Sequence, residues 1–259
     1  MKISVVTISF NQVKFLRQCI DSVLSQSYKN IEYIVVDPGS TDGSREIIET
    51  YSDRIIAVYG KDNGPADGLN KGFSVATGDI FYFINSDDYV LPDAFLTAIN
   101  EFSKNPNLDV LLGAGIEVNG SGERVKNHYP SRVSPKAYVN GAVTLFQQGM
   151  LFRANAFRQV AGFNPSNLTS WDGELLLNFL LKKLHFRRIM KPLAAFRIYP
   201  ESITGSQRLS SQFKLDKNRL YKIVYGSEPT NNYFTNLWFR FCKLTFDPRY
   251  TFMRIFWPK

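Results

Sequence analysis

A chain of 259 residues with 44% hydrophobic and 14% aromatic content can bury a full core, which excludes an intrinsically disordered protein. Its two cysteines and two histidines show no metal-ligand spacing, so neither a disulfide framework nor a zinc site is expected, and the cytoplasm is the expected compartment. The sequence also lacks the roughly 18-residue apolar run of a spanning helix and the pattern of a signal peptide.

The net charge of +8 is unevenly distributed along the chain. Residues 182–259 hold 16 Lys and Arg against 4 Asp and Glu, whereas residues 1–181 hold 15 against 19. A basic C-terminal third of this kind indicates a polyanionic surface as partner, either membrane phospholipid or nucleic acid.

The first ninety residues alternate short apolar strands with amphipathic helices. Strands are predicted at residues 3–10, 31–37, 55–59 and 80–84, and helices at 15–25, 45–51 and 66–75. This β-α-β-α-β-α-β order predicts a parallel sheet with right-handed crossovers.

The second half of the chain has a less regular pattern. The predicted elements are a helix at 94–102, strands at 108–118 and 143–152, a short helix at 155–160, an apolar helix at 173–184, strand structure over 186–199 and a basic amphipathic helix at 206–224. Residues 119–135 are polar and rich in turn formers, which predicts a flexible loop over the site.

Carboxylates recur where these elements meet. Asp37 ends the second strand, Asp87 and Asp88 follow the fourth, and Asp172 stands just before the apolar helix. Because parallel strands end at one edge of a sheet, Asp37 and the Asp87–Asp88 pair should face one cleft. Hard oxygen ligands suit Mg²⁺ or Mn²⁺ bound to a phosphate. An acidic turn, or a helix cap at Asp172, remains the alternative.

Several motifs, in the same order, resemble the family 2 glycosyltransferases of the GT-A fold. They are the opening Val-Val-Thr-Ile-Ser-Phe-Asn, Ile-Glu-Tyr-Ile-Val-Val-Asp, Gly-Ser-Thr-Asp-Gly-Ser, Gly-Leu-Asn-Lys-Gly, Ile-Asn-Ser-Asp-Asp, Val-Ala-Gly-Phe-Asn and Trp-Asp-Gly-Glu-Leu. The resemblance covers about residues 3–205.

The resemblance implies an α/β fold of GT-A type, with a mostly parallel, Rossmann-like sheet flanked by helices. Residues 1–205 would form the glycosyltransferase domain, with a nucleotide-sugar half at 1–118 and an acceptor half at 119–205, and residues 206–259 a helical, basic and aromatic extension. The implied activity is inverting transfer of a sugar from a nucleoside-diphosphate sugar, expected to be a UDP-sugar, to a hydroxyl of a glycan or lipid-linked acceptor in cell-surface polysaccharide or glycan assembly.

The resemblance also implies roles for individual residues. Asp172 matches the catalytic base, and Asp87 and Asp88 are the expected ligands of Mn²⁺ or Mg²⁺. The family's Asp-x-Asp metal motif falls on residues 85–87, where Asn85 departs from the pattern. Glu174 is expected to be structural. The implied donor-binding residues are Thr7, Phe10, Asp37, Asp67, Lys71, Ser86, Asp87 and Arg197.

Two other activities remain open at this point. A sugar-phosphate nucleotidyltransferase shares the sheet and the metal carboxylates, but it would need a Gly-rich, Arg-containing loop after the first strand, which residues 10–13 do not supply. A catalytically inactive nucleotide- or carbohydrate-binding module is the other alternative, and Asn85 is the only sign of it.

Residues 233–259 combine ten aromatic residues with a single acidic one. Aromatic rings interleaved with Lys and Arg suit the headgroup layer of an anionic membrane, and they would also suit nucleic acid, whose bases stack on aromatic rings. The family context favours peripheral contact with the inner face of the cell membrane over nucleic acid, which is not expected as a partner. Packing on the catalytic domain or on a second subunit, as in a homodimer, is the third alternative.

Overall fold

The structure is a computed structural model that describes residues 1–202, 206, 209–229 and 233–257. In these ranges a nine-stranded mixed sheet lies between helices. The strands are β1 (Ile3–Ile8), β2 (Ile31–Asp37), β3 (Ile56–Tyr59), β4 (Ile80–Asn85), β5 (Tyr89–Val90), β6 (Val110–Val118), β7 (Arg124–His128), β8 (Met150–Arg153) and β9 (Phe186–Arg197). The helices are α1 (Val13–Leu24), α2 (Ser44–Glu49), α3 (Pro65–Val75), α4 (Ala94–Lys104), α5 (Pro135–Val139), α6 (Ala154–Gln159), α7 (Trp171–Leu181), α8 (Ser210–Tyr225), α9 (Tyr233–Phe246) and α10 (Pro248–Phe256).

The N-terminal half of the sheet is parallel, in the order β3-β2-β1-β4. Ile8 at the end of β1 pairs with Val36 of β2 and with Asn85 of β4. The carboxyl ends of these three strands therefore lie side by side, as the alternation of strands and helices predicted. This is the edge at which open α/β sheets bind their ligands.

Both faces of this parallel half are covered, which explains why its strands are continuous apolar runs. Val5 and Tyr82 face a core shared with α1 and α4, whereas Val6 and Phe81 face a core shared with α3, α6 and α7. Helix α3 approaches closely at Gly72, where an added Cβ would lie 2.4 Å from Cγ1 of Val6.

Beyond β4 the sheet is mixed. Strand β8 is antiparallel to both β4 and β6, and β9 is parallel to β6 but antiparallel to β5. The predicted strand at 143–152 is reduced to Met150–Arg153, because Gln147–Gly149 form a 3₁₀ turn. The prediction of a flexible loop over 119–135 is wrong for Arg124–His128, which form β7 on β6. Strand β7 is largely exposed, so it shows no apolar alternation that a sequence pattern could detect.

The C-terminal helices pack in part against the preceding elements of the fold. Leu220 of α8 is buried against Val139 and Leu177, and Tyr250 of α10 is buried against Ala114 and Tyr129. Part of this aromatic segment thus packs on the protein itself, one of the three alternatives above. Residue 205, where the predicted catalytic domain ends, lies outside the described residues. Within the described ranges, every helix is too short or too polar to cross a membrane.

Candidate active site

A cavity of about 770 Å³ opens at the carboxyl ends of β1 and β4, a volume suited to a nucleotide-sized ligand. Five residues predicted from the sequence line it, and they come from segments far apart along the chain. These are Phe10, Ser86, Asp87, Asp172 and Arg197. The fold therefore brings the two carboxylates with the most important predicted roles, Asp87 and Asp172, to the same cavity.

Asp87 lies in the turn that follows β4, with its carboxylate at the cavity wall. The hydroxyl of Tyr199 donates to Oδ2 of Asp87 at 3.2 Å. Burial raises the pKa of the Asp87 carboxyl, and the Tyr199 hydroxyl and the Arg197 cation offset only part of that rise. A partly desolvated carboxylate of this kind favours a nearby cation, which would lower its pKa again.

Asn85, two residues earlier, also lines the cavity, and its Oδ1 atom is buried without a hydrogen-bond partner in the structure. An unpaired buried amide oxygen costs free energy unless a ligand or an ion satisfies it. Asn85 and Asp87 therefore bring to this end of β4 oxygen atoms of the kind that Mg²⁺ and Mn²⁺ prefer. No group of three or more His, Cys, Asp or Glu side chains that could hold a metal occurs among the residues that the structure describes.

Asp88 has surroundings different from those of Asp87, although the two are adjacent. Its Oδ1 atom accepts a hydrogen bond from the backbone N–H of Arg197 at 2.8 Å, and its Oδ2 atom accepts one from Nε2 of Gln148 at 2.7 Å. Asp88 is buried and does not line the cavity. Burial and the neighbouring Asp87 charge raise the pKa of the Asp88 carboxyl well above its usual range. Its contacts are those of a residue that ties β9 to the turn after β4, so the structure does not support its predicted role as a metal ligand.

Asp172 lies in the first turn of α7, because that helix begins at Trp171 rather than after Asp172 as predicted. Burial raises the pKa of the Asp172 carboxyl, and the backbone N–H groups of Gly173 and of Asp172 itself offset part of the rise. Gly173 is required here because an added Cβ would lie 1.8 Å from the hydroxyl oxygen of Tyr138. The result is a cavity-facing carboxylate able to accept a proton.

Glu174, the second acid of this turn, does not line the cavity. Its Oε1 atom accepts from Nη1 of Arg219 at 2.7 Å, and its Oε2 atom accepts from Nη2 of the same side chain at 2.5 Å. Asn164 and Asn167 donate two further hydrogen bonds to it. The structure thus agrees with the structural role expected for Glu174, which ties α7 to α8.

Arg197 lines the cavity, but most of its guanidinium is used within the protein. It donates to backbone oxygens of Asp87, Asn119 and Gly120 and to Oε1 of Gln18. These four contacts leave little of its five-donor capacity for a phosphate. Its main effect in the structure is to brace the turn that carries Asp87.

Four of the predicted donor-binding residues do not line the cavity. Thr7 is buried beside the hydroxyl of Tyr33, and Asp67 pairs with Lys71 on α3. Asp37 is buried and accepts hydrogen bonds from the backbone of the turn that follows it and from Nε of Arg45 at 3.1 Å. A carboxylate at a strand end can satisfy its own turn as readily as it can face a ligand.

Sequence reasoning missed other residues that line the cavity, among them Lys61, His128, Gln147 and Trp171. Lys61 follows the carboxyl end of β3, so the rule that drew attention to Asp87 could have identified it. His128 belongs to the strand that was predicted to be a loop, and Trp171 is the neighbour of Asp172.

Comparison with known proteins assigns the chain to a family. The family model described as glycosyl transferase family 2 matches residues 4–160. An uncharacterized glycosyltransferase of Nostoc sp. is 26% identical over 247 residues, which are 90% of this chain and 74% of that protein. Glycosyltransferase GlyA of Streptococcus pneumoniae is 38% identical over 223 residues, 78% of this chain but only 31% of that protein.

Two solved structures share the fold at low sequence identity. TarS 1–349 of S. aureus in complex with UDP-GlcNAc superposes with a TM-score of 0.72 at 20% identity, over 97% of this chain and 75% of that one. Mannosyltransferase PcManGT of Pyrobaculum calidifontis, in complex with GDP-Man and Mn²⁺, gives a TM-score of 0.63 at 16% identity, over 88% and 66% of the two chains. These likenesses confirm the predicted α/β fold of GT-A type.

Proposed function

The chain belongs to glycosyltransferase family 2, and on that premise we propose that it moves a sugar from a nucleoside-diphosphate sugar to a hydroxyl of a glycan or lipid-linked acceptor, with inversion at the anomeric carbon. One observation carries the proposal: Asp87 and Asp172, from the two halves of the chain, line the same cavity. Inverting transfer requires a base for the incoming hydroxyl and a positive charge that neutralises the leaving diphosphate. Asp172 would supply the base, and Asp87 would help to hold a divalent cation that supplies the positive charge.

In this proposal Asp172 is the general base. The acceptor hydroxyl loses its proton to the Asp172 carboxylate as its oxygen attacks the anomeric carbon, and the bond from that carbon to the diphosphate breaks on the opposite side. A positioned base of this kind accelerates transfer by about 10²- to 10⁴-fold. The raised pKa of Asp172 supports the role, since a carboxylate with a higher pKa is a stronger base.

Asp87 and Asn85 are the residues that would hold Mn²⁺ or Mg²⁺. Bound there, the ion would neutralise charge on the diphosphate oxygens. The support is the unpaired Oδ1 of Asn85 and the desolvated carboxylate of Asp87, two residues apart in the sequence and both in the lining of the cavity. An amide oxygen is a weaker ligand than a carboxylate, so we expect metal binding weaker than an Asp-x-Asp pair would give.

Two further residues of the cavity suit the nucleotide. The ring of Phe10 lines the cavity and is 59% exposed, so one of its faces is available to stack on a base. Lys61 brings a positive charge to the lining of the same cavity. We propose a UDP-sugar as donor. The TarS complex supports the nucleotide-sugar class, whereas the GDP-Man complex of the other neighbour shows that this fold also accepts another base.

We further propose that residues 1–118 form the donor half and residues 119–205 the acceptor half. His128, Gln147 and Trp171, all from the second of these ranges, line the same cavity as Asp172 and would contact the acceptor. Assembly of a cell-surface polysaccharide or glycan is the proposed setting, because such acceptors present the required hydroxyl.

The first experiment identifies the donor and then tests the base. A thermal-shift screen of nucleotide-sugars with Mn²⁺ should find one that raises the melting temperature, since a ligand at a hundred times its Kd adds about 2.7 kcal/mol. Asp172→Asn should keep that shift and lose transfer by about 10²- to 10⁴-fold. The exposed Asp53→Asn serves as control and should behave like the wild type.

Wild-type transfer rates in Asp172→Asn would remove Asp172 from the base role. Loss of the donor shift in that variant would instead assign Asp172 to donor binding. If no nucleotide-sugar raises the melting temperature of the wild-type protein, with or without Mn²⁺, the proposal of a nucleotide-sugar transferase fails.

The second experiment tests the metal ligands without an activity readout. Titration of Mn²⁺ alone, followed by thermal shift, should stabilise the wild type, and Asp87→Asn should abolish that stabilisation. Asn85→Asp should strengthen it, because it replaces an amide oxygen with a carboxylate. Equal Mn²⁺ responses in all three proteins would place the ion elsewhere.

A further inference from the structure

Helix α9 exposes an apolar stripe to solvent. Leu237, Phe241 and Leu244 recur at helical spacing, with Trp238 beside them, and their side chains are between 42% and 60% exposed. The rings of Trp238 and Phe241 stack on each other with centroids 6.1 Å apart. A soluble surface seldom carries so many large apolar groups together, which marks this stripe as an interaction surface.

Helix α10 repeats the arrangement and is anchored by its opposite face. Tyr250 is buried against the body of the protein, whereas Phe252, Ile255 and Phe256 are between 51% and 63% exposed. Asp247, at the start of α10, is buried and pairs with Nη1 of Arg188 at 2.5 Å. The exposed apolar face is thus held by a helix that is fixed on the protein.

The exposed charges carried by these two helices have one sign. Arg240, Arg249 and Arg254 are exposed. The only acidic residue in the sequence from 233 to 257 is Asp247, which is buried and neutralised by Arg188. A partner of this surface must therefore offer apolar contact and negative charge together.

We propose that α9 and α10 bind the surface of an anionic lipid bilayer, with their aromatic side chains in the headgroup layer and their arginines on lipid phosphates. The helices have 14 and 9 residues, so they are suited to lying in the interface and are too short to span it. A second copy of the chain fits less well, because a symmetric contact through this face would bring the same arginines together without an acidic partner.

The test is flotation of the full-length chain with vesicles of phosphatidylglycerol mixed into phosphatidylcholine, compared with vesicles of phosphatidylcholine alone. The protein should float with the anionic vesicles and less with the neutral ones, and added salt should weaken the binding. A variant with Arg240, Arg249 and Arg254 all changed to Gln should bind about 100-fold more weakly, from about fivefold for each basic residue.

A second variant, Trp238→Ser with Phe241→Ser and Phe256→Ser, should lose binding to both kinds of vesicle. Its control is Leu96→Ser with Leu181→Ser, two similarly exposed apolar residues outside these helices, which should bind like the wild type. If the serine variant fails to fold, the arginine variant still decides the question, since its three side chains are exposed.

Three results would overturn the proposal. The first is absence of flotation with anionic vesicles, and the second is undiminished flotation of both multiple variants. The third is a dimer in sedimentation equilibrium, without vesicles, that the serine variant converts to monomer. That result would assign the face to a second copy of the chain.

Discussion

Replacing Arg219 with methionine should destabilise the protein by about 3 kcal/mol, since it leaves a buried carboxylate without its cation. The side chain of Glu174 is 6% exposed and receives two charge-assisted hydrogen bonds from Arg219. Removing one partner of a buried ion pair costs about 3–5 kcal/mol. The low end applies here, because Arg219 is 37% exposed and Asn164 and Asn167 still donate to Glu174.

Urea unfolding at pH 7 measures the loss directly, and thermal unfolding should show a fall of about 6–12 °C at 2–4 °C per kcal/mol. Lys222→Met is the matched control on the same helix. Lys222 pairs with Glu228 at 2.7 Å, but both side chains are at least 60% exposed, so its removal should leave the melting temperature unchanged within error.

The dependence of this effect on pH follows from the pKa of Glu174. Burial raises the pKa of this carboxyl, but Arg219, Asn164 and Asn167 more than offset the rise, and the net shift is downward. A lowered pKa contributes stability that is present above the unfolded value of about 4.3 and is lost as pH falls through the folded value. The difference between wild type and Arg219→Met should therefore be constant from pH 6 to 8 and shrink only in acid.

A double variant separates two contributions to the destabilisation, the loss of the ion pair and the cost of leaving the Glu174 charge buried without a partner. Glu174→Gln combined with Arg219→Met removes the buried charge as well, so it should be more stable than Arg219→Met alone. Equal melting temperatures for Arg219→Met and Lys222→Met would refute the reasoning, since they would mean that burial of Glu174 does not set the strength of the pair.

Three further predictions concern the base, the core and the C-terminal helices. Because burial raises the pKa of Asp172, kcat/KM should fall in acid with an apparent pKa above the ordinary Asp value of about 3.9. An apparent pKa at or below that value would contradict the assignment of Asp172 as the base. Gly72→Ala should cost about 1–3 kcal/mol in urea unfolding because its Cβ would collide with Val6, and Val6→Ala in the same chain should relieve part of that cost. Asp247→Ala removes the ion pair with Arg188 and should speed limited proteolysis at residues 248–257, whereas an unchanged cleavage rate would show that this ion pair does not hold α10.

The parallel half of the sheet was predictable because each of its strands is a local apolar run bounded by turn residues. Strand β7 was not predictable, because an exposed strand that pairs with β6 alone carries no apolar pattern. Strand β7 forms by antiparallel pairing with β6, from which only a short turn separates it in the sequence. The sequence pattern predicted a strand for β6 but a loop for the residues of β7.

The candidate site divides in the same way. The sequence by itself determined that Asp87 and Asp172 are carboxylates at the ends of elements, and that the C-terminal helices are basic and aromatic. Only the tertiary structure decided that Asp87 lines the cavity while Asp88 binds Gln148 and the backbone of β9, and that the guanidinium of Arg197 is used within the protein. The physical reason is that a pattern of neighbours sets local conformation, whereas the surroundings of a side chain depend on strands and helices that approach from elsewhere in the chain.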